Sequence, residues 1–292
     1  MIYEISHTTV YDYDGRVSFA RCQLHLEPAS RDGQRVLAHE LHISPKPVES
    51  TRVRDFFGNW SLNVAFAEPH QTLTIRAVTT VEAPARDAIA PMLSEPWESV
   101  RSAAGVIDDL GAGSPVHGLF GSRHTPISAA AAAYAEPSFT PGRPIVEAVT
   151  ELMGRIYDDF TYDPKATEIS TPIAEVLSNR RGVCQDFAHL MIAGLRSLGL
   201  PALYVSGYLR TNPPPGAERL VGADATHAWT SAWCGAGLGW IGFDPTNAIL
   251  AGEDHVVLAV GRDYADVAPS SGIVLASSGH TLKVAVDVRP IG

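Results

Sequence analysis

Two periodicities divide this chain, and together they constrain its fold more than any single residue does. From Tyr3 to Val81, apolar and β-branched residues alternate with polar ones, the period of a half-buried strand. The runs are Tyr3 to Val10, Val17 to Leu26, Val36 to Ile43, Thr51 to Phe57, Ser61 to Phe66 and Thr72 to Val81. Turn residues punctuate them at Asp14-Gly15, Asp32-Gly33, Pro45-Lys46-Pro47 and Gly58-Asn59, which predicts a small β-sandwich over residues 1–82. From Pro144 the pattern lengthens to helical spacing, with Ile145, Val146, Val149, Leu152, Met153 and Ile156 on one face. A shorter helix is expected from Pro172 to Leu177, and another after Gly182. Beyond Pro201, strand-like runs return at Pro201 to Leu209, in a glycine-turned hairpin, and at Val256 to Val260, Ile273 to Ala276 and Leu282 to Val288.

Helices first and strands afterwards indicate an α+β domain with an antiparallel sheet over residues 144–292. Residues 83–143 shift towards Ala, Pro, Ser and Gly. They read as a linker with short helices near Pro96 to Leu110 and Ser128 to Tyr134, packed on the second domain. Tyr11-Asp12-Tyr13-Asp14-Gly15 lacks the closing glutamate of a calcium loop and is expected to be a hairpin turn.

Within the helical region, Gly182-Val183-Cys184-Gln185-Asp186-Phe187 puts a cysteine in the first turn of an apolar helix, continued by Leu190, Met191, Gly194, Leu195 and Leu198. Unpaired N–H groups and partial positive charge at a helix start favour the thiolate, the nucleophilic form of sulfur. A free cysteine also packs well as a small hydrophobe, so position alone does not make Cys184 reactive.

A cysteine nucleophile needs a base, and the base needs an orienting group. The hairpin supplies both. Along its first strand His227, Trp229, Ser231 and Trp233 share a face; on the returning strand Trp240, Gly242 and Asp244 do. Folding about the glycine-rich segment between them sets His227 opposite Asp244, or nearly so, within reach of an imidazole–carboxylate hydrogen bond. Such a bond fixes the tautomer and leaves the other ring nitrogen for a thiol proton.

The segments G-V-C-Q-D-F-A-H, H-A-W and G-W-I-G-F-D-P-T-N resemble the transglutaminase-like superfamily, whose core is papain-like. The N-terminal third, with Asp55-Phe56-Phe57-Gly58-Asn59-Trp60, resembles the β region that precedes this domain in bacterial members. The resemblance implies a nucleophile, base and carboxylate in chain order, here Cys184, His227 and Asp244. It also implies cysteine-dependent acyl chemistry on a glutamine carboxamide or peptide bond, through a thioester resolved by amine or water. A purely hydrolytic protease or amidase is the alternative enzyme, and a non-catalytic protein-binding module is the alternative of another class.

Tyr162 is a candidate oxyanion donor beside the Cys184 backbone N–H, and Trp229, Trp233 and Trp240 are candidate cleft walls. Asp186 is expected to cap the helix. His189, about 140° round the helix from Cys184, is expected to pack or be solvated. Cys234 is expected to pack, and Asp224 to orient the loop before His227 or lie in solvent. With no H-E-x-x-H, C-x-x-C or G-x-S-x-G in the sequence, neither a metal centre nor a serine hydrolase is expected. No cofactor is expected either. A formal net charge of −10 and the lack of a basic stripe argue against nucleic acid as partner. No apolar run is long enough to cross a bilayer, and the partner that the resemblance implies is a protein or peptide substrate. Three cysteines without framework spacing fit a reducing cytoplasm.

Overall fold

The structure is a computed structural model that describes residues 1–85, 90–211, 225–275 and 279–292. The first six strands are β1 (Ile2–Val17), β2 (Phe19–Leu24), β3 (Arg35–Ser44), β4 (Glu49–Arg54), β5 (Trp60–Phe66) and β6 (His70–Glu82). Each covers or overlaps a predicted run. One detail differs: Asp14-Gly15 is not a hairpin turn, because β1 runs straight through it and the register against β6 shifts between Asp12 and Val17. An irregularity there bends the strand, and beyond Ser18 the chain runs on without reversing as β2, which pairs with β5 and not with β1.

The middle of the chain carries α1 (Trp97–Ala104), α2 (Ala129–Ala135), α3 (Ile145–Asp159), β7 (Thr161–Tyr162), α4 (Ile173–Asn179), β8 (Arg181–Gly182) and α5 (Cys184–Ser197). There follow β9 (Ala202–Leu209), β10 (Ala225–Trp233), β11 (Trp240–Asp244), β12 (Ile249–Leu250), β13 (His255–Gly261) and α6 (Tyr264–Val267). The strands of this unit form one antiparallel sheet in the order β12-β11-β10-β9-β13. Helix α5 lies on it: Leu190, Met191, Ala193 and Leu195 share one core with Tyr204, Ala228, Ala232 and Phe243. The linker is tied down by buried Arg196. Its guanidinium donates to the carbonyls of Gly118, Ala202 and Arg262 and to the hydroxyls of Ser122 and Thr125.

The last two strands do not extend that sheet. β14 (Ser270–Leu275) pairs with β2, and β15 (His280–Pro290) pairs with β1 from Tyr3↔Pro290 to Tyr13↔His280. They complete two four-stranded sheets, β15-β1-β6-β3 and β14-β2-β5-β4. The sandwich is therefore built from both ends of the chain, and the expected second domain over 144–292 gives up residues after α6 to it. Alternation shows that a segment is a strand; it does not show which edge the strand will join.

The two units share a core in which Tyr3, Ile5, Val81, Val286 and Val288 meet Tyr208, Val256 and Leu258. The edge strand β13 is also gripped by two side-chain amides of the sandwich unit. Gln34 donates to the Val257 carbonyl and accepts from its N–H, both at 2.8 Å. Asn59 does the same at Val260, at 2.7 and 2.9 Å. Asp55 holds Asn59 through its backbone N–H at 2.8 Å and its amide at 2.7 Å. The Asp55-to-Trp60 motif thus satisfies a sheet edge that would otherwise be open. Among the described residues no helix is long and apolar enough to cross a membrane.

Candidate active site

Cys184 is half-buried and opens α5. The turn before it is demanding. Arg180 ends α4 in the left-handed region at φ 54, and β8 pairs in parallel with β7, Tyr162 beside Gly182. A Cβ at Gly182 would lie 2.7 Å from a carboxylate oxygen of Asp186, closer than such atoms approach, so only glycine lets that side chain fold back. Asp186 accepts from the Val183 N–H at 2.8 Å and from the Thr167 hydroxyl at 2.6 Å. It is a buried cap. Burial raises its pKa against those two hydrogen bonds. The Cys184 and Gln185 N–H groups belong to the first turn, which has no intrahelical acceptor for them.

His227 and Asp244 meet as the hairpin predicts, with one refinement. β10 and β11 pair Trp233 with Trp240, Ser231 with Gly242 and Thr230 with Phe243. Continued, that register sets Trp229 opposite Asp244, so His227 reaches the carboxylate along the diagonal. Its Nε2 lies 2.8 Å from Asp244 Oδ2. The other ring nitrogen is left free of Asp244, and Cys184 is near enough to the imidazole to raise its pKa. Burial pulls the imidazole pKa down, but the hydrogen bond to Asp244 and the nearby Cys184 outweigh it and carry the pKa up to about 9.

Asp244 is fully buried and densely solvated by protein. Oδ1 accepts from the backbone N–H groups of Thr246 at 3.0 Å and Asn247 at 3.3 Å. Oδ2 accepts from His227, from the Asn247 amide at 2.8 Å and from His255 Nε2 at 3.1 Å. Burial alone would favour the neutral acid; these donors reverse it and hold the carboxyl well below its ordinary range. Sequence reading missed His255 and Asn247. Asn247 stood in plain view in the D-P-T-N turn, whereas His255 is brought in by β13, two strands away from β10 in the sheet, with no local signal. The ligating atoms of His227, Asp244 and His255 lie within 4.8 Å of one another, as in a three-donor cation site. Here they form a hydrogen-bonded cluster, because both imidazoles direct Nε2 at the same oxygen.

The remaining predicted residues fall differently. Tyr162 is largely exposed, and its phenol is raised by partial burial and then by the charge of Cys184. The tryptophans do not wall a cleft over Cys184. Trp229 is buried beneath His227 and His255, with ring centroids 6.1 and 5.1 Å away. It packs over two glycines, since a Cβ at Gly207 would lie 2.5 Å from its ring and one at Gly242 3.2 Å from its Nε1. Trp233 lies in the α5 core. Trp240, at the far end of the hairpin, donates to the Gly113 carbonyl at 3.3 Å. Trp229 and Trp240 line a cavity of about 510 Å³ with Val205, Ser231 and Val260, but Cys184, His227 and Asp244 do not border it. Alternation gives Trp229 and Trp233 the same parity on β10, yet they enter different cores, Trp233 that of α5 and Trp229 one with Val205 and Ala251.

His189 is buried, accepts the Tyr264 N–H at 3.1 Å and stacks on His124. Burial lowers its pKa to about 3, so it is a neutral packing residue. Cys234 is buried in the same core as α5, and burial pushes its thiol up to about 12. Gln185 donates to the Ile169 carbonyl at 3.2 Å. Asp224 lies outside the described residues.

Comparison with known proteins follows this geometry. Residues 3–82 match the bacterial transglutaminase-like N-terminal region, and residues 132–245 match the transglutaminase-like superfamily. The uncharacterized protein Rv2569c of Mycobacterium tuberculosis is 43% identical over 305 residues, covering 99% of this chain and 92% of that protein. The uncharacterized protein ML0607 of Mycobacterium leprae is 31% identical over 291 residues, covering 97% of each. A candidate cysteine protease from Cytophaga hutchinsonii shares the fold at a TM-score of 0.77 and 22% identity, over 100% of this chain and 92% of that one. With both of its parts matched in order, and the α+β fold they predict observed, the chain belongs to the transglutaminase-like superfamily.

Proposed function

We propose that this protein is a cysteine-dependent acyl-transfer enzyme in which Cys184 attacks a glutamine carboxamide or a peptide carbonyl. The observation that carries the reading is the orientation of His227. One ring nitrogen is committed to Asp244 at 2.8 Å, which leaves the other to serve Cys184, whose thiol is near enough to raise the imidazole's pKa. An imidazole so held takes the thiol proton and keeps it, giving a thiolate–imidazolium pair.

The thiolate forms a bond to the carbonyl carbon, and the negative charge moves to the carbonyl oxygen. The Cys184 N–H at the helix start, with Tyr162 as a second donor, would stabilise that oxygen. As the C–N bond breaks, His227 passes its proton to the departing nitrogen, leaving a thioester. An amine or water then adds to the thioester, His227 accepts its proton, and the thiolate leaves. The chemistry requires reduced Cys184, which a cytoplasmic setting would provide.

The test is incubation with glutamine-containing peptides, with and without a primary amine, followed by product masses. Cys184→Ala should abolish any product. Amide exchange marks transfer; gain of one oxygen-for-nitrogen replacement, or chain cleavage, marks hydrolysis. Unchanged turnover by Cys184→Ala would defeat the reading.

A further inference from the structure

We propose that His255 is a positioning residue for the His227–Asp244 pair: a neutral imidazole that donates to Asp244 and draws off part of the carboxylate's charge. The His227 imidazolium then stays acidic enough to return its proton. This rests on the acyl-transfer reading above.

The tautomer of His255 is set by the backbone. Its Nδ1 accepts the Gly252 N–H at 3.2 Å, so in the neutral ring the proton sits on Nε2. That nitrogen lies 3.1 Å from Asp244 Oδ2, the same oxygen that His227 uses. Both partners are therefore satisfied without a charge on His255. The ring cannot readily swing away, because it is buried and set edge-on to Trp229 at 5.1 Å. β13, which begins with His255, pairs with β9 and is clamped on its other edge by Gln34 and Asn59.

The ionisable groups around His255 are Asp244 on β11, His227 on β10, and the Arg210–Asp254 ion pair at 3.4 Å, which joins the end of β9 to the residue before β13. Glu253 precedes that pair in the chain. Of these, Asp244 alone is in direct hydrogen-bond contact with the His255 ring. A carboxylate sharing its charge among several donors attracts any one of them less. Removal of His255 should therefore strengthen the hold of Asp244 on the His227 imidazolium, and slow its return of the proton to a leaving nitrogen.

Nitrogen-15 NMR of the histidine-labelled full chain tests this. At pH 7 His255 should be neutral with its proton on Nε2. A proton on Nδ1, or a charged ring, overturns the proposal and needs no variant. In His255→Leu the titration of His227 should move up by about one pH unit, the scale of one lost charge-assisted hydrogen bond. In His255→Gln, which retains a donor, it should stay within about 0.3 unit of wild type by the same reasoning. An unchanged His227 titration in His255→Leu would reduce His255 to packing. Should that variant not fold, the wild-type tautomer decides alone. If Cys184 alkylates no faster than a simple thiol while His227 still responds to His255, the catalytic reading fails, and what stands is the electrostatic link between His255 and His227 alone.

Discussion

His227 Nε2 and Asp244 Oδ2 lie 2.8 Å apart in a buried setting, although the two residues are diagonal rather than opposite across the hairpin. The separation makes the imidazole's proton affinity a property of the carboxylate. Asp244→Asn removes the charge that stabilises the imidazolium, so the His227 pKa should fall from about 9, with Cys184 left as the group that opposes burial. Iodoacetamide alkylation of Cys184 should lose its thiolate advantage at neutral pH, by tenfold or more in order of magnitude. Rates measured across pH 5 to 10 check it.

The same pair sets a stability profile. The His227 pKa is raised in the folded state, so its contribution is complete below the unfolded value of about 6.5 and is lost as pH rises through about 9. Asp244 is depressed, so its contribution is present above the unfolded value of about 3.9 and is lost as pH falls towards the folded one. Thermal unfolding should show both declines, the alkaline one on the order of 2 kcal/mol after allowing for coupling between the partners. His227→Gln should flatten the alkaline decline.

Cysteine labelling should be selective. Cys22 and Cys234 are buried, and burial raises both thiols, Cys234 to about 12. Cys184 is half-buried beside an imidazole. Peptide mapping after brief alkylation at pH 7 should find Cys184 modified first, with the other two protected until the chain unfolds.

Gly207 should be close to irreplaceable. A Cβ there would lie 2.2 Å from the Val256 carbonyl and 2.5 Å from the Trp229 ring, and neither backbone nor a buried indole can retreat cheaply. Gly207→Ala should cost about 3 kcal/mol or more by the overpacking scale, read as a lower urea midpoint. Displacement of Trp229 should also disturb the His227 titration, since the indole underlies that ring.

Asn59 offers a test of the clamp between the units. Asn59→Leu leaves the Val260 N–H and carbonyl without their side-chain partners, at a cost of about 1–3 kcal/mol. Hydrogen exchange at the Val260 amide should accelerate, while that of Val257, held by Gln34, should change less.

Much of the site could be read from residue order because its decisive relationships are local. A helix start follows from the Gly182 break and the apolar spacing after it, and backbone electrostatics then places a thiol at that start in a favourable field. The hairpin register follows from the turn between Trp233 and Trp240, so His227 and Asp244 could be paired across only a few residues of uncertainty. By contrast, β15 meets β1 from the other end of the chain, and nothing in its alternation names that partner. His255 reaches Asp244 because β13 pairs with β9 and Asn59 and Gln34 hold its free edge. Trp229 and Trp233 have the same parity on one strand but enter different cores, and what covers each ring depends on contacts distant in sequence. Short-range periodicity thus determined the elements, the helix start at Cys184 and the pairing of His227 with Asp244. Only tertiary packing, through contacts distant in sequence, decided which donors surround Asp244, which surfaces are closed, and where the chain's last strands belong.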